Sequence, residues 1–205
     1  QAAFGNAPLF ARLRAEGRVR PDATVIDDEL HWRILQQLIE AGADVNARST
    51  RGLTVLDLVL ETLTDPPAYP EARVAWLRTR GAKSGELAGV HVGELLRLLP
   101  YGDLPALRRT VFKLRYLLES GADASDPTGS SFKDPPLHAL IGTTGYSERE
   151  VPGDILAELV ALLLKHGARD RVGWSGRTAL QHAESWVAHG FQHYDAVVRL
   201  LRALQ

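Results

Sequence analysis

Three histidines, His182, His189 and His193, gather in the last quarter of the sequence. His189 and His193 are four residues apart, the spacing at which two imidazoles on one helix face can share a metal ion. Gly190 lies between them, where a turn between helices belongs, so the two are expected on different helices. There is no His-Glu-x-x-His pattern and no acidic partner at a recognisable spacing, which makes solvated or capping histidines the ordinary reading. Ser175, in Gly173-Trp-Ser-Gly176, superficially resembles the sharp turn that presents a nucleophilic serine. It lacks both the Gly-x-Ser-x-Gly spacing and a preceding strand, and reads better as a turn into a helix. Asp27 and Asp28 are adjacent, and adjacent carboxylates on a helix do not face one another. Neither a dinucleotide-type nor a phosphate-cradling glycine pattern occurs. The expectation is therefore a protein that is not an enzyme and needs no cofactor or metal. A metal-binding or enzymatic accessory carried by the His182, His189 and His193 region is the alternative.

Whatever these residues do, composition limits the company they keep. The 205 residues carry 24 Lys and Arg against 25 Asp and Glu, a formal net charge of −1. No global field draws such a chain to nucleic acid or an anionic membrane. The densest basic stretch, Arg108, Arg109, Lys113 and Arg115 with Arg97 nearby, winds around an apolar stripe of Leu107, Val111, Leu114 and Leu118. It reads as a solvated outer face, without the interleaved aromatics of a single-strand binder. No nucleic-acid partner is expected. The absence of cysteine excludes disulfides and thiolate zinc sites, and no apolar run approaches the ~20 residues of a membrane span. Arg outnumbers Lys 20 to 4, a bias that points to a GC-rich, bacterial genome. A cytoplasmic location is expected. Gln1 stands where an initiating Met would, so an exported or periplasmic location stays open.

The elements that position these residues repeat. Four segments share an apolar helical stripe followed by Gly-Ala: Leu35 to Gly42-Ala-Asp, Val74 to Gly81-Ala-Lys, Leu114 to Gly121-Ala-Asp and Val160 to Gly167-Ala-Arg. The glycines lie 39, 40 and 46 residues apart, a shorter period lengthened by insertions. Leu or Val at i, i+3 and i+4 makes one buried stripe, and the glycine takes the left-handed conformation that stops the helix. After the first stop a short extended turn leads to Thr54, a helix N-cap.

These residues resemble the ankyrin repeat family. Its pattern, G-x-T-P-L-H-x-A and later L-L-x-x-G-A-D-V-N-A, is echoed by Gly52-Leu-Thr-Val-Leu-Asp, Asp134-Pro-Pro-Leu-His138, Gly176-Arg-Thr-Ala-Leu-Gln-His182-Ala183 and Leu38-Ile-Glu-Ala-Gly-Ala-Asp-Val-Asn-Ala47. The resemblance implies an all-α fold: an ankyrin-repeat solenoid of about five helix-turn-helix repeats with short hairpin-like turns. A single domain over 1–205 is expected, with repeats at about 1–48, 49–84, 85–124, 125–170 and 171–205, the third degenerate. The expected helices are 7–16 and 28–41, 54–64 and 71–80, 86–99 and 104–120, 136–142 and 154–166, then 178–188 and 192–204. The links at 65–70 and 143–152 carry prolines that prevent the paired helices from fusing. The stretch 126–134 enlarges the turn before the fourth pair.

The resemblance further implies a protein-binding module that meets another protein through its concave face and inter-repeat turns. Carried over by position, the contacts are Arg48, Thr50, Arg51 and Leu53 before the second pair and Thr128, Ser130, Phe132 and Lys133 before the fourth. Before the fifth they are Arg171, Trp174, Ser175 and Arg177, with Trp186 further along the helix. Trp174 stands out, because the pattern needs no large apolar group there and Trp and Arg dominate interface hot spots. It could instead fold back over the last repeat. His138 occupies the family position that hydrogen-bonds neighbouring turns, while Trp32 and Trp76 fall in helical stripes and belong to the core. The expected molecule is a monomer. A narrower form of the reading is a cognate inhibitor or immunity factor, and a self-associating structural protein is a further alternative.

Overall fold

The computed structural model describes residues 28–62, 69–100, 103–144 and 151–203. The expected helix over 7–16 and most of the two proline-bearing links lie outside these residues. Among the described residues every long regular element is an α-helix and there is no strand. The helices are α1 (Asp28–Glu40), α2 (Val55–Glu61), α3 (Glu71–Arg78), α4 (Val92–Arg97), α5 (Leu104–Glu119), α6 (Pro136–Thr144), α7 (Gly153–Lys165), α8 (Ala179–Ala188) and α9 (Asp195–Arg202). Single 3₁₀ turns occupy Ser131–Lys133 and Gln192–Tyr194.

The four predicted stops share one hydrogen-bond pattern. Gly42, Gly81, Gly121 and Gly167 have φ of 95°, 79°, 94° and 92°. In each case the glycine N–H returns to the carbonyl three residues back and the following alanine N–H to the carbonyl five back, as in Gly167 to Leu164 and Ala168 to Leu163 at 3.1 and 3.0 Å. This double closure satisfies carbonyls that a helix end otherwise orphans. Two of the stops are followed by the same aspartate turn, in which Asp44 and Asp123 Oδ1 each accept the amide two residues on at 2.8 Å.

By Cα packing the chain divides into two units, residues 1–61 with 70–88 and residues 62–69 with 89–205. In the first, α2 packs on α3 around Leu56, Leu60, Val74 and Leu77. Trp32 on α1 meets Trp76 on α3 edge to face at 5.3 Å, and Arg80 lies 3.5 Å over the Trp76 ring. In the second unit the helices pair as α4 with α5, α6 with α7 and α8 with α9. The first members stack in order, α4 on α6 on α8, and so do the second, α5 on α7 on α9. Leu107, Leu114, Leu137, Ile141, Ile155, Leu159 and Tyr194 fill the space between these two layers. The basic stretch of α5 is partly consumed within the unit. Arg108 pairs with Asp154 and Glu158 of α7, and Arg115 reaches Glu158 and lies over Tyr69.

Two helices differ from the sequence expectation. The segment expected as helix over 86–99 is helical only at Val92–Arg97. The amides that would begin it are already engaged: Gly85 and Glu86 donate to Asp57, Leu87 N–H donates to Ser84 Oγ at 2.9 Å, and Gly89 turns the chain at φ 75°. The last helix, expected over 192–204, begins as the 3₁₀ turn and becomes α-helical only at Asp195.

Asp57 has no exposed surface. Its carboxylate accepts from the Ser84 hydroxyl, the Gly85 amide at 3.0 Å and the Thr54 amide at 2.7 Å. One acceptor group thus caps α2 and pins the next turn. Burial pushes its pKa up, but the bonds from Ser84, Thr54 and Gly85 outweigh it and hold the carboxyl below its ordinary value. A depressed carboxyl contributes stability that is present above its unfolded pKa and lost as pH falls through the folded value. Asp57→Ala is expected to cost about 1–3 kcal/mol for each donor it strands. Hydrogen exchange checks this: amides of 53–60 and 84–87 should lose protection in the variant, and in the wild type on acidification below about pH 4.

Candidate partner-binding turns

The turns that precede α2 and α8 are built alike. Ser49 N–H donates to Leu53 O and Gly52 N–H to Ser49 O, each at 2.9 Å. In the later turn Gly173 N–H donates to Arg177 O and Gly176 N–H to Gly173 O, at 2.9 and 3.0 Å. The same two bonds make the same tight loop, and each loop runs into a threonine that starts the helix. Thr178 completes a reciprocal cap with Gln181. Thr50 and Trp174 therefore occupy equivalent, outward-facing tips.

The turn before α6 is longer and braced differently. Asp126 Oδ1 accepts Thr128 N–H at 2.9 Å, and Ser130 Oγ lies 2.5 Å from Asp134 O. Bonds from the Thr128 side chain and amide, with His91 beside it, hold the Asp126 carboxyl below its ordinary pKa against a slight push from burial. The chain then passes through two non-glycine residues in the left-handed region, Phe132 at φ 57° and Lys133 at φ 56°. That conformation costs an ordinary side chain about 1–2 kcal/mol.

What this cost produces is an aromatic stack. Phe132 and Trp174, from two consecutive turns, lie face to face with centroids 4.7 Å apart and planes 17° apart. Each is 71% exposed. Trp174 does not fold back over the helices that follow it, as one reading of the sequence allowed. Val172, also exposed, stands two residues before it. Lys133, Arg171, Ser175 and Arg177 of these two turns are exposed, and so is Thr128 of the longer turn; in the first unit Arg48, Thr50 and Arg51 of the turn before α2 are exposed as well.

Two of the expected contact residues belong elsewhere. Leu53 is buried in the core of the first unit, because the loop closure on Ser49 points it inward. Trp186 is partly buried against the core of the second unit, edge to face with Phe191 at 5.5 Å. Ser130 is half-buried, its hydroxyl turned into its own loop.

Beneath the Trp174 turn lies a small polar cluster. Trp174 N–H donates to Asp134 Oδ1 at 2.6 Å. The other carboxylate oxygen lies 3.2 Å from His138 Nδ1 but off the line of a hydrogen bond, so that contact is electrostatic. His138, expected to hydrogen-bond the neighbouring turn, instead packs its ring against Gly173, and Asp134 makes the bond. His138 meets His182 edge to face at 4.9 Å, and His182 Nε2 lies 2.8 Å from Ser175 Oγ. Burial, then His138 and Arg177, push the His182 pKa down, with Asp134 acting the other way. A serine beside a neutral imidazole has the first half of a nucleophile's geometry. The Asp134 carboxylate, however, faces His138 and the Trp174 amide, so it does not orient His182 in the manner of a catalytic triad.

The other histidines do not join this cluster. His189 ends α8 with Nδ1 2.6 Å from Ser185 O, and His193 sits in the 3₁₀ turn against Tyr194. Among the described residues no three His, Asp or Glu side chains are placed to hold a metal ion. No protein-family model matches the chain, and no curated protein matches it either.

Sequence patterns located the tips but could not reveal Asp134 as the residue that holds Trp174, since the two are 40 positions apart. The one available signal was Gly173, whose hydrogen faces the His138 ring. A Cβ there would fall 2.4 Å from His138 Cε1. Gly173→Ala is expected to destabilise by about 1–3 kcal/mol through this overpacking. Gly142→Ala in α6, where a Cβ meets nothing within 4 Å, should stabilise by about 0.4–1 kcal/mol. Urea unfolding of the two variants beside the wild type measures both signs.

Proposed function

We propose that the chain is an ankyrin-type repeat protein whose turns bind another protein, with the Phe132–Trp174 stack as the contact. Three regularities support the repeat reading: the double-closed glycine stops, the duplicated loop closure before Thr54 and Thr178, and the ordered stacking of first and second helices in the larger unit. The observation that carries the binding reading is the stack itself. Large aromatics gain most by leaving water, on the order of 25 cal/mol per Å² of buried surface. Here two of them are held in water, Phe132 by a backbone conformation that is itself unfavourable and Trp174 by the bond from its amide to Asp134. Folding gains little from such an arrangement, whereas binding gains a rigid apolar anchor whose ordering cost is already met.

The charges beside the stack define the partner's chemistry. Lys133, Arg171 and Arg177 are exposed there, whereas Asp134 and Asp170 are occupied by amides of the turn and of α8. The complement is a protein surface that places an apolar side chain on the rings and carboxylates around it. A cognate inhibitor or immunity role is the narrower form of this reading, in which the acidic surface belongs to a toxin or enzyme. The proposal includes no reaction and no cofactor.

A pull-down from the source lysate compares wild type with a Trp174→Ala, Arg177→Ala double variant and with Phe132→Gly. Phe132→Gly relieves about 1–2 kcal/mol of backbone strain while losing about 0.5–1.5 kcal/mol of ring stacking, so its stability should stay near that of the wild type. One protein captured by wild type and lost by both variants, with unchanged circular dichroism and melting, is the expected result. Equal capture by all three would refute the binding face.

A further inference from the structure

Each of the four glycine stops releases the chain into a new segment, and the amides of these segments fare differently. Counted from the glycine, the fourth and fifth amides are bonded after the first three stops. After Gly42 they are Asn46 and Ala47, which donate to Asp44 Oδ1 and Asp44 O at 2.8 and 3.1 Å. After Gly81 they are Gly85 and Glu86, which donate to Asp57. After Gly121 they are Ser125 and Asp126, which donate to Asp123 Oδ1 and Asp123 O at 2.8 and 3.3 Å. After Gly167 they are Arg171 and Val172, and no acceptor among the described residues meets either amide. Sequence explains the difference. Arg169 stands two residues past the glycine, where the other turns have Asp44 and Asp123, and an arginine side chain accepts nothing. Asp170, next to it, accepts the Ala179 and Leu180 amides of α8 instead, at 2.6 and 3.3 Å.

Water satisfies an exposed amide, so folding alone tolerates this pair. Its setting is what points to a ligand. Asp170 ties the chain just before the two residues, and Gly173 N–H, donating to Arg177 O at 2.9 Å, ties it just after. Trp174 follows, its amide held by Asp134. Two unpaired main-chain residues are thus presented in a set position beside the indole. Val172, although apolar, is 63% exposed. Arg169, Arg171 and Arg177 are exposed in the same turn, and no carboxylate among the described residues pairs with them.

We propose that Arg171 and Val172 form a docking edge for an extended, acidic segment of the partner protein, which pairs main chain to main chain and lays an apolar side chain against Val172 and Trp174. This inference rests on the binding reading above and narrows it from a surface to a strand-like segment. A segment that pairs through its backbone supplies acceptors for the two amides and takes its specificity from alternate side chains. The unpaired arginines select carboxylates at the positions flanking the apolar one. Ordering costs little on this side, because the chain is tied at both ends of the pair. The turn before α2 cannot serve in the same way, since Asn46 and Ala47 have given their amides to Asp44.

The test selects a displayed library of random linear peptides on the full chain and measures the chosen peptides by fluorescence polarisation. The expected peptides alternate Asp or Glu with apolar residues, and on binding they slow hydrogen exchange of the Arg171 and Val172 amides. Methylating the peptide's own main-chain nitrogens should weaken binding by about tenfold, the loss of one or two net main-chain bonds. Two neutral variants separate charge from pairing. Arg169→Ala removes a cation alone and should weaken binding by no more than about fivefold. Arg169→Asn removes the same cation but gives the Arg171 amide an acceptor, as Asp44 and Asp123 do in their turns. It should bind about tenfold more weakly than Arg169→Ala, with a melting temperature equal to or above that of the wild type.

A library that yields no binder overturns the proposal. So does a methylated peptide that binds like its parent, a measurement that needs no variant to fold. A bound peptide that leaves the Arg171 and Val172 amides exchanging as in the free chain overturns it as well. Equal binding by Arg169→Asn and Arg169→Ala, with the Arg171 amide protected in the former, does the same. Trp174→Ala is read separately. If it keeps the peptide at wild-type affinity with both amides still protected, the edge stands and the aromatic contact face fails.

Discussion

A carboxylate removed from water must find donors, and in this chain the donors that Asp57 and Asp134 find are amides and hydroxyls of the following turn. That requirement fixes where the turns go. Asp57, wholly buried, collects Ser84 and Gly85 from a turn 27 and 28 residues further on. Asp134, 8% exposed, collects the Trp174 amide from a turn 40 residues further on. Apolar packing between helices sets spacing and layer order, but it is nearly indifferent to the path of an exposed loop. A short charge-assisted bond to one named amide is not. These two turns are therefore placed by a side chain at the foot of the helix pair before them, and the Trp174 tip acquires a definite position although it stands in solvent.

The same economy explains why the aromatic stack can exist. Phe132 and Trp174 would ordinarily be expected to collapse onto the nearest apolar surface. Phe132 is kept outward by its left-handed backbone, braced on one side by Ser130 against Asp134 O. Trp174 is kept outward because its amide is bound to Asp134 Oδ1 and its neighbour Gly173 is flush against His138. Both constraints converge on Asp134, which couples the conformations of the two turns through one residue.

Much of the helical framework was legible in the sequence, and for a local reason. Stops written as apolar stripe, glycine and alanine involve residues within six positions of one another, so Gly42, Gly81, Gly121 and Gly167 could be read directly. Thr54 as a cap was readable on the same grounds. What failed to show were bonds between distant residues. The shortening of the helix expected at 86–99 follows from Asp57 capturing the amides of Gly85 and Glu86, and nothing near residue 86 announces that. Likewise the outward pointing of Trp174 depends on Asp134. Leu53 and Trp186 were placed on the surface by position in a pattern, where burial is decided by how the loop closes and how α8 packs.

The asymmetry between the two equivalent turns carries the functional argument furthest. The turn before α2 has the same pair of loop bonds as the turn before α8, yet its tip is Thr50 and its flank Arg51, where the other has Trp174 and Ser175. Loop geometry alone therefore does not require a large aromatic at the tip. Nor does a turn in this chain require a histidine behind it: Asp57, its carboxyl held below the ordinary pKa, supports the turn that follows α3, while His138 and His182 lie behind the turn that carries Trp174. A scaffold that can brace a turn with a buried carboxylate has, behind the tip bearing an exposed indole, set two imidazoles edge to face.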